Sequence, residues 1–311
     1  MAREHSLDEA SVHTQWDRSL RPALEINPGD TVHFRTREVS NGQVTPGCSA
    51  DVLAKLDFSQ VYPLAGPVHV NGAQPGDALV VELLDLQTQG WAWTGVLPGL
   101  GLLKEEFNRP YLHHWDLSNG RTTEFKPGIV IPLDPFPGCI GVAPKEPGEH
   151  AIMPPGAFGG NMDIRHLHAG TTLYLPVQVE GALFSVGDCH AGQGDGEVCV
   201  TGMEAPMALT LRFGLQKHAG VVEPRFTTRG PLNPKFEGMG YYATTGIGPD
   251  LYQDAQKAVH YMVEWLTGEK GLSSEDAYLL CSAVGDLKIS EIVDQPNWIA
   301  SFYMPLSVFV T

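Results

Sequence analysis

Residues 28–35 read PGDTVHFR, and residues 75–84 read PGDALVVELL. Each stretch places a Pro-Gly-Asp turn directly before a run of apolar and β-branched residues, which is typical of a tight turn leading into a strand. Short runs of the same strand-like character, bounded by turn-forming residues, recur further along the chain. They are residues 68–70, 129–132, 171–179 and 208–213. The pattern predicts a β-sandwich or barrel through about residue 215.

The pattern changes after residue 241. Residues 250–266 carry apolar side chains at helical spacing, and Asp250 stands where an N-cap is expected. A second helix is predicted from Ser273 to about Val284, and residues 287–293 alternate like a strand.

These patterns together predict a mainly β fold with a C-terminal α+β unit. We expect a β-rich catalytic body over residues 1–215, either a plain sandwich or one with a small inserted β-barrel. The α+β unit is predicted over residues 216–311.

Composition limits the possible partners. The chain has 311 residues and a formal net charge of -16, which argues against nucleic acid or an anionic membrane as a partner. The five cysteines show no C-x-x-C spacing, which favours reduced thiols. With no apolar run long enough to span a membrane, we expect a cytoplasmic protein that binds a small molecule and assembles as a homo-oligomer.

Residues 187–197 read GDCHAGQGDGE and concentrate polar side chains among glycines. In an extended backbone Asp188 and His190 share one face, and so do Asp195 and Glu197. If the two arms converge, their carboxylates repel each other unless a cation lies among them. Oxygen and imidazole ligands without thiolates suit zinc, our first choice, as well as calcium, iron or manganese. The alternative is a solvated acidic hairpin loop with no metal or catalytic role.

A second polar cluster lies in FGGNMDIRHLHAG, residues 158–170. Asp163 is the expected third metal ligand, beside Asp188 and His190. His166 and His168 are predicted to share one face of a strand and are weaker candidates. Their spacing from the glycines is similar to the start of a cupin metal motif, but the rest of that motif is absent.

Three segments resemble the acetamidase/formamidase family of amide hydrolases: PFPGCIGVAP at 135–144, GGNMD at 159–163 and GALFSVGDCHAGQGDGEVC at 181–199. The likeness extends from about His33 to about Asp286. The resemblance implies a mainly β architecture with an α/β tail and the hydrolysis of short aliphatic amides to a carboxylate and ammonia. Glu38 stands where the family is expected to show Asp.

Amide hydrolysis needs an activated nucleophile, a stabiliser for the oxyanion and an acid for the leaving nitrogen. We expect a metal held by Asp163, Asp188 and His190 to activate water. Glu197 or Glu146 is the expected proton shuttle, with Asp195 as a third catalytic candidate. The residues expected to contact the substrate or its oxyanion are Gly159, Gly160, Asn161 and Gln193.

Two alternatives remain open at this stage. One is an amidase that uses Cys189 as a nucleophile, although residues 146–216 contain no lysine to assist the thiol. The other is a cupin-like β-sandwich that binds a small ligand through a metal without turning it over.

Overall fold

The computed structural model describes residues 2–293 and 295–310. Within these residues the chain forms nineteen strands and two α-helices, with short 3-10 helices at Ala50–Lys55, Glu237–Met239 and Leu306–Val308. The strands are β1 (Glu4–Leu7), β2 (Val12–His13), β3 (Leu24–Ile26), β4 (Thr31–Thr36), β5 (Leu64–Val70), β6 (Ala78–Thr88), β7 (Trp91–Val96), β8 (Tyr111–Asp116), β9 (Thr122–Lys126), β10 (Ile129–Pro132), β11 (Phe136–Gly141), β12 (Gly159–Asn161), β13 (Thr172–Pro176), β14 (Phe184–His190), β15 (Met207–Gln216), β16 (Arg225–Thr227), β17 (Tyr241–Gly248), β18 (Asp286–Glu291) and β19 (Trp298–Pro305). The helices are α1 (Leu251–Lys270) and α2 (Ser274–Val284).

Both Pro-Gly-Asp turns lead into strands as predicted. In each turn the amide of the aspartate, Asp30 or Asp77, donates to the carbonyl three residues earlier over 3.0 Å. Gly29 and Gly76 have φ values of 99° and 93°, which suit the third position of a type II turn after proline. These turns start β4 and β6, two neighbours of β15 in the larger sheet.

Two six-stranded sheets form the body. One has the order β1-β4-β15-β6-β13-β16, and the other has the order β12-β11-β14-β5-β2 with β3 paired to β5. Most pairs are antiparallel, while β1 with β4 and β3 with β5 run parallel. Buried apolar side chains from both sheets form one core, as Phe34 and Leu209 do from the first and Val68 and Phe184 from the second. The predicted β-sandwich is confirmed.

A second core joins the helices to the rest of the chain. It combines side chains of α1, α2 and β19 with side chains of the β7–β8 and β9–β10 hairpins. The segments β7–β8 and β9–β10 are two antiparallel hairpins that share this core with the helices. Strand β16 lies beyond residue 215 yet extends the larger sheet. Residue 215 therefore marks a change in the type of secondary structure, but the segments on its two sides do not form independent cores.

The C-terminal elements match their sequence signals. Asp250 caps α1 by accepting from the Gln253 amide, and Ser273 caps α2 by accepting from the Asp276 amide. Strand β18 ends at Glu291, two residues earlier than predicted. In the described part of the chain, neither helix has the length and apolar character needed to cross a bilayer.

Candidate active site

The end of β14 places two polar side chains together and one thiol away from them. Asp188 and His190 lie on the same face of the strand, and their side chains approach to 3.6 Å between Oδ1 and Nε2. Cys189 points to the opposite face, where it belongs to the sandwich core. The alternation predicted for these three residues is confirmed.

Four carboxylates surround the imidazole of His190. From its Nε2 atom, Glu204 Oε2 lies at 3.2 Å and Glu197 Oε1 at 3.8 Å. The potential ligand atoms form two groups, Asp163–His190–Glu197 and Asp188–His190–Glu204, and within each group they lie within 4.8 Å of one another. We call these five residues the acidic cluster. It contains the three predicted metal ligands.

Gln193 fixes the orientation of the imidazole. The His190 ring shares a 2.7 Å hydrogen bond through Nδ1 with Gln193 Oε1, so Nδ1 donates and Nε2 faces the acidic cluster. The same amide donates through Nε2 to the carbonyl of Asp163 at 3.0 Å. Gln193 was predicted to contact substrate, but the structure places it behind the imidazole and outside the cavity lining.

Glycines allow the close approach of the backbone to the cluster. A Cβ added at Gly138 would lie 2.5 Å from Asp163 Oδ1 and 3.1 Å from His190 Cε1. A Cβ at Gly202 would lie 2.7 Å from His190 Nδ1. Any larger residue at either position would push the imidazole or the carboxylate out of place.

The backbone of the cluster is strained. Asp163, Asp188 and Glu197 have φ values of 49°, 48° and 42°, in the left-handed region that non-glycine residues seldom adopt. Tyr62 and Val200, which line the adjacent cavity, have φ values of 58° and 73°. Such strain concentrates at functional sites, where the surrounding structure holds it in place.

Burial and mutual repulsion raise the pKa values of Asp163, Glu197 and Glu204 and make these carboxyl groups weak acids. Burial, followed by the charge of Asp188, raises the pKa of Asp163 to about 7. Burial raises the pKa of Glu204 to about 8 and holds the pKa of Glu197 well above its ordinary value. Burial alone would lower the pKa of His190, but the charges of Glu204 and Asp188 outweigh it and raise that pKa. The cluster therefore retains protons near neutral pH.

The donor set fits a divalent cation. Asp163 Oδ1, His190 Nε2 and Glu204 Oε2 are buried and have no hydrogen-bond partner. Among the described residues, none of the four carboxylates forms an ion pair with lysine or arginine. The carboxylates of Asp163 and Glu204 each converge with the His190 imidazole in one of the two groups, and a cation lying among such groups would offset the repulsion between the carboxylates. The candidate ligand atoms are carboxylate oxygen and imidazole nitrogen, as predicted.

A small cavity of about 40 Å³ opens onto the cluster. Asn161, Asp188, Glu197 and Glu204 form its polar end. The remaining wall is mainly apolar, and its side chains include those of Val39, Leu56, Phe58, Val61, Leu97, Leu100 and Met153. Since one water molecule needs ~10–15 Å³ of such volume, the cavity has space for about three water molecules.

Other residues predicted for the site lie elsewhere. Asp195 was expected to point the same way as Glu197, and this is wrong: Gly196 and Glu197 both have positive φ, so the chain turns and the two-residue alternation does not hold. The Asp195 carboxylate lies 3.8 Å from Lys288 Nζ instead. Glu146 is exposed and lies outside the cavity lining.

The double glycine is also outside the cavity lining. Gly159 and Gly160 pair with β11, and the Gly159 amide donates to the Gly156 carbonyl. Asn161, the next residue, does line the cavity, and its Oδ1 atom is buried without a partner.

The predicted histidine strand is wrong. His166 lies in a turn and His168 in an irregular segment, because the chain between β12 and β13 does not continue as a strand. Nε2 of His166 lies 3.4 Å from Asn233 Oδ1, and Nε2 of His168 lies 3.3 Å from Thr228 Oγ1. Within the described ranges, neither histidine belongs to a group that could hold a metal.

Glu204 is the cluster residue that sequence reasoning missed. Its backbone pairs with Trp93, and its Oε1 atom accepts from the Gly202 amide at 2.8 Å. A signal was available, because Glu204 is the only charged residue in 198–211. A lone acid in an apolar stretch is buried with that stretch and needs a partner.

Glu38 supports the same region from behind. Its carboxylate accepts hydrogen bonds from Trp93 Nε1, the Ser40 amide and hydroxyl, and the Gly42 amide. Trp93 and Ser40 both line the cavity. The longer side chain of Glu38 therefore has a structural role at the cavity wall.

Comparison with known proteins identifies the family to which this chain belongs. The acetamidase/formamidase family profile matches residues 1–151 and 146–311. The chain belongs to the acetamidase/formamidase family, which makes it a hydrolase of amide C–N bonds.

Individual relatives agree with this assignment. The formamidase of Methylophilus methylotrophus is 27% identical over 97% of this chain and 90% of its own length. A solved gamma lactamase from Delftia acidovorans superposes with a TM-score of 0.91 at 27% identity, covering 98% of this chain and 93% of that one. A solved acetamidase from Bacillus halodurans has a TM-score of 0.69 at 32% identity, covering 98% of both chains.

Proposed function

We propose that this protein hydrolyses short aliphatic amides, with formamide and acetamide foremost, to a carboxylate and ammonia with the help of a divalent cation. Zinc is the first choice, with calcium, iron or manganese as alternatives. One observation carries the proposal: two buried carboxylates, two partly buried carboxylates and one buried imidazole converge at the polar end of a small cavity. Family membership supplies the amide chemistry.

The protein groups that would hold the cation are Asp163, His190 and Glu204, each of which has an orphaned atom, together with Asp188. Asp163, Asp188 and His190 were predicted from sequence, and the geometry adds Glu204. A bound divalent cation supplies Lewis acidity toward a carbonyl oxygen and lowers the pKa of water. Gln193 keeps Nε2 of His190 available by binding Nδ1.

Glu197 is the proposed proton shuttle. It lines the cavity, its carboxylate lies 3.8 Å from His190 Nε2, and burial raises its pKa. A carboxyl whose pKa is raised toward neutrality can take a proton from attacking water and return it to the leaving nitrogen. The exposed position of Glu146 favours Glu197 over that alternative.

Asn161 is proposed to orient the amide group of the substrate. Its buried Oδ1 atom lines the cavity and lacks a partner, so it can accept a hydrogen bond from the substrate amide N–H. Roles for the Gly159 and Gly160 amides at the oxyanion stay predictions.

The size and lining of the cavity support a small acyl group. A cavity of about 40 Å³, with space for about three water molecules, fits amides with few heavy atoms. The apolar wall offers a methyl group a favourable contact, whereas a peptide amide would bring polar backbone against that wall.

A second candidate substrate class is a small cyclic amide. The backbone match to the Delftia acidovorans gamma lactamase favours it, with a TM-score of 0.91 over 98% of this chain. A lactam would place its ring carbons against the same apolar wall.

Cys189 gains no support as a nucleophile. Its thiol is buried in the sandwich core, it accepts a hydrogen bond from Thr36 Oγ1, and burial raises its pKa to about 12. A thiol in that position is inert, because the thiolate is the reactive form.

Cellular location and assembly complete the proposal. Five free cysteines fit the reducing cytoplasm, where we propose that the protein resides. Assembly into a homo-oligomer remains a prediction from the frequency of symmetric assembly among soluble enzymes.

The test is the relative kcat/KM for formamide, acetamide, propionamide, benzamide, a dipeptide amide and 2-pyrrolidinone. Ammonia release follows the linear amides, and formation of the amino acid follows lactam opening. We expect formamide and acetamide to differ by roughly 10- to 200-fold in either direction, and the dipeptide amide to be inert. Turnover of the lactam above both short amides would favour the second candidate. Binding of amides without any turnover would favour the non-catalytic alternative.

A further inference from the structure

Two irregular segments supply most of the acidic cluster. Asp163 follows β12, while Glu197 lies in the loop between β14 and β15. Neither residue belongs to a helix or a strand; the Gln193 side chain links the two segments directly through the Asp163 carbonyl, and contacts with the rest of the chain help to fix the distance between them.

The junction of α2 and β18 contacts both segments. One oxygen of Asp286, Oδ1, accepts from the Arg165 guanidinium and from the Asp195 amide at 3.1 Å. Arg165 lies two residues after Asp163, and Asp195 lies two residues before Glu197. A single carboxylate therefore links the two segments.

Further contacts hold the second segment to the same junction. The Gly194 amide donates to the Ser282 carbonyl at 2.8 Å, and the Leu287 amide donates to the Asp195 carbonyl at 2.9 Å. A Cβ at Gly194 would overlap the Gly285 carbonyl. The loop therefore lies directly against the C-terminal unit.

The Arg165–Asp286 pair is buried on both sides. Each side chain is 4% exposed, and among the described residues Arg165 forms its ion pair with Asp286 alone. A buried guanidinium needs its carboxylate partner, so the position of Arg165 follows that of Asp286.

We propose that Asp286 is a positioning residue for the active site. It sets the separation of Asp163 and Glu197 across His190 by holding Arg165 and the Asp195 amide together. The inference rests on the proposed function, since the cluster is the proposed cation site. It also gives the C-terminal unit a role in the site.

Three variants of the full-length protein test the proposal. Asp286→Ala removes both contacts. Arg165→Met combined with Asp286→Ala removes the buried charge as well, which protects folding. Asp254→Ala is the matched control, because Asp254 is another buried carboxylate of the C-terminal unit, and its cation partner is Lys257. The readouts are zinc affinity of the metal-free protein, hydrogen exchange in residues 194–197, and separate kcat and KM values.

Both Asp286 variants should bind zinc about 10- to 100-fold more weakly and exchange faster in residues 194–197. We expect kcat to fall by a similar factor with a smaller change in KM, while the control matches the wild type. The proposal would be overturned if the folded Arg165→Met/Asp286→Ala variant kept the zinc affinity of the wild type and its protection from hydrogen exchange in residues 194–197. If neither alanine variant folds, Asp286→Asn decides, with a loss expected because it gives Arg165 no charge.

The outcomes separate this inference from the proposed function. A wild type that neither binds zinc nor releases ammonia contradicts the proposed function, and exchange in residues 194–197 then still tests the positioning role. An active, zinc-binding wild type whose Asp286 variants match the Asp254 control contradicts the positioning role alone.

Discussion

Replacing Glu204 with glutamine should change stability in opposite directions with and without metal. Burial raises the pKa of Glu204 from 4.5 to about 8. At ~1.4 kcal/mol per pH unit, the buried carboxyl lowers the unfolding free energy of the metal-free protein at pH 7 by at most about 3 kcal/mol. Glutamine keeps the shape and can still accept from the Gly202 amide, so the metal-free variant should be more stable than the wild type by up to that amount.

With zinc present the order should reverse. A ligand at 1,000 times its dissociation constant stabilises a protein by about 4.1 kcal/mol, which exceeds the gain of about 3 kcal/mol without metal, and Glu204→Gln should lose nearly all of this zinc stabilisation. We also expect ammonia release from formamide to fall by more than ~100-fold. Thermal unfolding with and without chelator, zinc titration and the ammonia assay measure these effects. Glu146→Gln, at an exposed carboxylate outside the cavity, is the control. Wild-type zinc affinity and turnover in Glu204→Gln would refute the reasoning.

Four other predictions concern the same site. Cys189→Ser should retain kcat/KM within about tenfold, because the buried thiol has no chemical role; a folded, zinc-loaded and inactive variant would bring the thiol mechanism forward. Gln193→Leu should weaken zinc binding by about 10- to 100-fold, because the His190 ring loses the bond that orients it; an unchanged affinity in zinc titrations would contradict that role. Zinc affinity should rise from pH 6 to pH 8, since the cation displaces protons from Asp163 and Glu204, whose pKa values are about 7 and about 8. As the pH rises from about 4 to 8, the metal-free protein should lose stability, because its folded state holds protons that the unfolded state releases. Calorimetry should therefore give a lower unfolding free energy at pH 7.5 than at pH 5.

Much of the fold was predictable because its signals are local. The Pro-Gly-Asp turns at Asp30 and Asp77, the N-caps Asp250 and Ser273, and the strand runs each depend on a few adjacent residues. The pairing of the two sheets and the shared second core depend on distant contacts, which no local pattern encodes.

The same distinction between local signals and distant contacts applies to the active site. Alternation correctly brought Asp188 and His190 together, because both residues belong to β14, even though φ is 48° at Asp188. Alternation does not hold after Asp195, because Gly196 and Glu197 have positive φ values that turn the chain. Glu204 reaches the cluster through backbone pairing with Trp93, a contact between residues far apart in sequence.

The central claim is that the acidic cluster holds a divalent cation used in amide hydrolysis. Elemental analysis of the purified full-length protein, paired with ammonia release from formamide before and after chelation, tests it most directly. We predict about one equivalent of a divalent metal per chain, loss of activity on chelation and recovery when zinc is added back. Full activity in protein that contains no bound metal would contradict the claim.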